Sequence, residues 1–181
     1  MRIRFVLAVV ILFVLFACDL SCASDLALVG VTKAIVAEAR RAGKPVFAHP
    51  SNEEGVKVAV QSGVDILAHT TAAGGPWSPS LVQRLKSANM ALIPTLTLWH
   101  VESPGESPEQ FEKGMNTVVL PELRAYSEAG GQILFGTDVG YIEQFDTSEE
   151  FVWMSRAGMS FSANSSIADH EPCPALRLLN P

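Results

Sequence analysis

The sequence predicts an α/β protein on parallel strands, and more narrowly part of a (β/α)8 TIM barrel, with about four strands and their helices. Three observations carry this. Short, mostly apolar runs recur at residues 45–48, 65–68, 90–99 and 132–135, with helical periodicity between them. A buried parallel strand reads as such a run, and its parallel neighbour is reached through a crossover helix. Two runs end on histidine, His49 and His69, which puts both imidazoles at the carboxyl rim, where parallel α/β proteins place their chemistry. Eight such strands need about 250 residues, and this chain has 181, so only part of a barrel is expected.

Residues 1–23 read as a secretory signal peptide. Arg2 and Arg4 precede an uninterrupted apolar stretch at 5–17, short for a membrane span, and Ser21, Cys22 and Ala23 supply small residues for cleavage. The run Leu15-Phe16-Ala17-Cys18 also resembles a lipoprotein box, so a lipid anchor stays open beside cleavage after Ala23. Either route implies export to a periplasmic or extracellular location. Cys18 and Cys22 fall in this segment and Cys173 stands apart, so no disulfide framework is implied. Net charge is -6 with no basic run, which argues against nucleic acid as a partner.

A barrel segment is expected over residues 24–159. Leu28, Val31, Ile35, Val36 and Ala39 recur at helical spacing ahead of Gly43. The interval 52–62 fits a crossover helix, with Val56, Ala59 and Val60 in phase and Gly63 as its stop. After His69, a turn-rich loop carries Trp77, read either as an apolar wall for a substrate or as packing. Ser78 and Pro79 have the cap and first-position chemistry of a helix running to about Asn89.

The third strand, 90–99, contains Pro94, which removes a ladder donor and predicts a bulge or break. His100 follows and is read as a loop histidine lining the mouth. A long helix is expected over 108–129, interrupted around Leu120 and Pro121. The fourth strand leads through Gly136 to Asp138, at the same rim as the histidines. Thr147 is expected to cap a last helix whose first turn holds Glu149 and Glu150, as the helix dipole favours. Residues 160–181 show no sustained periodicity and read as an irregular tail.

One histidine at a strand end is more often a hydrogen-bonded core or loop residue than a ligand. Two at matching strand ends shift the balance to a metal site, since neutral imidazole is the commonest metal ligand. The ordered set G-K-P-V-F-A-H-P-S, S-G-V-D-I-L-A-H-T, P-T-L and I-L-F-G-T-D resembles the second half of the metal-dependent amidohydrolases, closest to the imidazolonepropionase and prolidase-like branch. The resemblance implies that His49 and His69 end the fifth and sixth barrel strands as metal ligands or metal neighbours. It implies that Asp138 ends the eighth, binds metal and takes the proton of the attacking water.

The activity so implied is hydrolysis of a C–N bond in a small amide, cyclic amide or peptide-like substrate by metal-activated water. Zn2+ or another divalent ion would serve, and Trp77 and His100 would line the substrate.

The family also carries a His-x-His pair on its first strand, whereas the four histidines here, His49, His69, His100 and His170, include no two that are two apart. The encoded site is therefore half a site. Two readings remain open. One is a hydrolase, with a second copy completing the barrel. The other is a non-catalytic, truncated remnant or partial subunit. A phosphoesterase is disfavoured, since no basic or glycine-rich phosphate cradle is encoded near the rim.

Overall fold

The computed structural model describes residues 11–12 and 22–160, with side chains from residue 27 onward. The expected lipid anchor at Cys18, the bulk of the signal peptide and the tail beyond residue 160 lie outside the described residues. No helix among the described residues is long and apolar enough to cross a membrane.

The sheet is parallel and its strands follow chain order. They are β1 (Ile11–Leu12), β2 (Phe47–Ala48), β3 (Ile66–Ala68), β4 (Ala91–Ile93) and β5 (Gln132–Ile133). The last four are the strands expected from the apolar runs, and β1 adds a short neighbour to β2. Phe47 faces Ile66 across one ladder, Leu67 faces Leu92 across the next, and Leu92 faces Ile133 across the last. Sequential parallel order with a helix in each crossover is the construction of a barrel wall.

Helix α1 (Cys22–Arg41) delivers the chain to β2. Its buried seam is Val29, Thr32, Val36 and Ala39, while Val31 is 59% exposed. The stripe is thus rotated from the expected one, because a threonine takes a core position that an apolar count passes over. Helix α2 (Glu53–Ser62) starts where Asn52 accepts the Gly55 amide at 2.9 Å and stops at Gly63, whose φ of 75° needs no Cβ. Helix α3 (Pro79–Ser87) starts at Ser78, as its sequence indicates.

Two expectations give way, at β4 and at the cap of α7, and a third, the interrupted helix, takes a definite form. Strand β4 ends at Ile93 because Pro94 offers no amide to the ladder, and the chain turns at once into a short helix α4 (Leu98–Glu102). The helical stretch after residue 107 is divided into α5 (Pro108–Gly114), a π turn (Met115–Val119) and α6 (Leu120–Glu128). Pro121 cannot donate to Thr117 and would crowd its carbonyl, so the turn before it widens. At α7 (Ser148–Arg156) Thr147 makes no capping bond; Asp146 accepts the Ser148 amide at 2.9 Å instead.

The core lies between the sheet and the helices. Leu67 and Leu92 point into it against Val56, Leu81, Leu85 and Leu123. On the opposite face of the same strands, Ile66 and Ala91 form a smaller cluster with half-buried Phe47, Ile93 and Leu134. This alternation follows from the period of two along a strand.

Candidate functional site

His49 directly follows β2 and His69 directly follows β3, so both leave the sheet at its carboxyl rim. The registers place His69 one residue beyond the level of His49. Their rings meet edge to face with centroids 4.4 Å apart.

His69 is buried, and its backbone is left-handed at φ 82°, a conformation that costs a side-chain-bearing residue free energy. The amide at this bend donates to the Ile93 carbonyl at 2.7 Å. The ring nitrogen Nδ1 lies 2.5 Å from the Thr95 hydroxyl oxygen, and that hydroxyl donates to the Pro94 carbonyl at 2.9 Å. With the hydroxyl proton committed, Thr95 can only accept, so Nδ1 carries the imidazole proton and Nε2 keeps its lone pair. Burial, assisted by the neighbouring His49, pushes the imidazole pKa down to about 3. The ring is neutral, as a metal ligand must be.

Asp138 lies beyond β5 and is also left-handed, at φ 64°. It is half-buried. Burial raises its pKa, His49 draws it back and Glu102 raises it again. The three rim residues are therefore electrically coupled through His49: it acts on His69 and on Asp138. No group of three or more His, Cys, Asp or Glu side chains is placed to hold a metal among the described residues. The donor chemistry fits a divalent ion, with one bare imidazole nitrogen at His69, a second imidazole against it and a carboxylate nearby.

Trp77 and His100 are placed apart from this pair in character. Trp77 is 4% exposed, packs in the main core and donates its indole N–H to Thr71 at 3.0 Å. His100 sits on α4, mostly exposed, with Nδ1 3.0 Å from Glu149 and its ring stacked on Phe111 at 4.8 Å. It lines a cleft of about 310 Å3 together with Trp153 and Arg156, whose guanidinium lies over the Trp153 ring at 4.5 Å. A far smaller cavity of about 20 Å3 lies behind His49 and is lined also by Thr32.

Two acidic residues on helices hold loop segments after β3 and β4, and carry no signal in the sequence beyond a place in the first turn of a helix. Glu122, on α6, is fully buried and accepts the Thr71 amide at 2.7 Å and the Thr71 hydroxyl at 2.6 Å. Burial pushes its pKa up to about 8 against the pull of those bonds. Glu150, on α7, is fully buried too, and accepts the amides of Leu96 and Thr97 at 2.9 and 2.8 Å. Glu150 stands in the first turn of α7, as its sequence indicates, and its carboxylate also holds a loop from another part of the chain.

No family model and no curated protein sequence matches the chain. Solved structures do. A Xaa-Pro dipeptidase with bound methionine in its active site is 26% identical with a TM-score of 0.55, over 71% of this chain and 32% of that one. A protein from Bifidobacterium longum assigned as a prolidase is 28% identical with a TM-score of 0.58, over 73% of this chain and 36% of that one. The chain thus spans about a third of the length of each.

Proposed function

We propose that this chain, an amidohydrolase-superfamily member carrying the second half of the barrel, forms the metal-holding side of a hydrolase for C–N bonds in small amide or peptide-like substrates. The observation that carries this reading is the contact of His49 with His69, at 4.4 Å, beside a Nε2 lone pair left bare by the Thr95 bond. A divalent ion, Zn2+ or another, would supply water activation and polarise the scissile carbonyl when bound.

The chain's own residues do the rest. His69 offers Nε2 from a rigid seat, and His49 stands against it as the second imidazole. Asp138 is the proton acceptor: burial raises its pKa, which makes its carboxylate a stronger base towards the attacking water than a solvated one. Trp77 keeps the loop after β3 packed, and His100 lines a separate cleft with Trp153 and Arg156 that a substrate would reach only by extending away from the histidine pair. A leader of the kind read over residues 1–23 would carry this activity outside the cytoplasm, either free or anchored. A second copy would cover the open edge of the sheet and complete the barrel.

A second reading, a non-catalytic partial barrel, is favoured by one observation: no three donors among the described residues are placed to hold a metal. Metal analysis after dialysis against Zn2+ separates the two. The hydrolase reading expects about one ion retained per chain or per dimer, loss of retention in His69→Ala, and metal-dependent cleavage of Xaa-Pro dipeptides, lactams or simple amides. Absence of both retention and cleavage would leave the non-catalytic reading.

A further inference from the structure

Thr95, whose hydroxyl oxygen receives the His69 proton, is itself left-handed at φ 45°. A β-branched residue is poorly suited to that conformation, so something outside the residue has to hold it there. The next two residues supply the means. The Leu96 amide donates to Glu150 Oε1 at 2.9 Å, the Thr97 amide to Oε2 at 2.8 Å, and the Thr97 hydroxyl to Oε2 at 3.0 Å. Three donors from two consecutive residues thus converge on one carboxylate. Leu96, Thr97 and Glu150 are all fully or almost fully buried, so water cannot replace the bonds.

We propose that Glu150 is a positioning residue for His69: by gripping the Leu96 and Thr97 amides it sets the turn at Thr95, and the Thr95 hydroxyl then fixes the imidazole tautomer. Glu150 touches neither the ring nor any reacting atom. It acts through two intervening residues, from a helix more than fifty positions further along the chain. Sequence proximity could not link it to His69, and its grip depends on the carboxylate's capacity to accept on both oxygens. An amide in its place would turn an N–H2 group towards one of the backbone donors. Glu122 likewise grips Thr71, two residues after His69, so the segments at 71 and at 96–97 are each tied to a buried acid.

The inference rests on the reading of His69 as a ligand only where metal affinity is concerned; its tautomer is a property of the metal-free chain. The test is the 15N resonances of the His69 ring in the full chain without metal, followed by titration with Zn2+ alone. Wild type is expected to show one protonated and one bare ring nitrogen, well separated. In Glu150→Gln those two resonances should move towards each other as the ring samples both tautomers, and Zn2+ affinity should fall about 10- to 100-fold, the range seen when a ligand loses its orienting partner.

Leu85→Ala, a core truncation away from the rim, serves as the control. It should lower thermal stability and leave the ring resonances where they were. Should Glu150→Gln fail to fold, Glu150→Asp keeps the charge but shortens the reach by one methylene, and the same convergence is expected at smaller amplitude. A single unshifted Nδ1-protonated tautomer in a folded Glu150 variant would overturn the proposal. If the resonances converge while even the wild-type chain binds no Zn2+, the positioning role stands and the metal reading of the site fails.

Discussion

His69 and Thr95 are 26 residues apart in the chain, yet their side chains meet at 2.5 Å, with both backbones in the left-handed region, at φ 82° and 45°. Neither residue type favours that conformation. The pair therefore joins two strained bends, one after β3 and one after β4, at the point where the sheet opens to its rim. Strain of this kind persists only where the surroundings overdetermine it.

Removing the acceptor tests the joint directly. Thr95→Val leaves the buried Nδ1–H of His69 without a partner, a loss of about 1–3 kcal/mol. Urea unfolding at neutral pH should show the midpoint falling with an unchanged slope; a variant as stable as wild type would mean that the ring has found another partner.

Thr32 points to a gain. Its hydroxyl is the one buried side-chain polar atom without a hydrogen-bond partner among the described residues, beside the small cavity behind His49. Thr32→Val replaces it with a methyl of nearly the same volume, and a rise in stability of about 1 kcal/mol is expected. Calorimetry reads it as an increase in Tm, and a fall would show that the hydroxyl is hydrated in solution.

Glu122 makes stability depend on pH in a stated direction. Its folded pKa, about 8, lies above the ordinary 4.5, so between these values the folded chain binds a proton that the unfolded chain has released. Stability from this group is complete below about pH 4.5 and is lost as pH rises through 8, on the order of a few kcal/mol in all. His69 acts oppositely, its pKa lowered from 6.5 to about 3, so its contribution is present above 6.5 and lost towards 3. Above pH 6.5 His69 no longer offsets the Glu122 slope. Glu122→Gln should flatten the decline in Tm between pH 6.5 and 8.5; an equal decline in both proteins would place the proton elsewhere.

Gly131 opens β5 against an aromatic ring. A Cβ there would fall inside contact distance of the Tyr126 ring, which is buried and anchored by its hydroxyl to the Met90 carbonyl. Gly131→Ala should cost about 1–3 kcal/mol through overpacking. Thermal melts of Gly131→Ala alone and combined with Tyr126→Leu check the cause, since the smaller side chain should recover most of the loss.

Much of the fold was legible in the sequence because its signals are local. The apolar runs, Asn52 and Gly63 around α2, and Ser78 with Pro79 at α3 each act within a few residues, through hydrogen bonds and backbone preferences that no distant contact has to supply. The shared rim of the two histidines follows by the same reasoning, since each directly follows a parallel strand and those strands end on the same side. Pro94 and Pro121 announced a disturbance but not its form. Whether a missing donor ends a strand or widens a helix depends on what packs beyond it.

The sequence by itself determined which residues reach the rim, since strand direction and side-chain alternation follow from the order of residues alone. Only the tertiary structure decided how those residues are held: the His69 tautomer through Thr95, the Thr95 turn through Glu150, the Thr71 loop through Glu122, and Trp77 in the core. The physical reason is that a buried carboxylate is tolerable only where donors converge on it, and those donors here come from segments about fifty residues away, brought together by the packing of helices on the sheet.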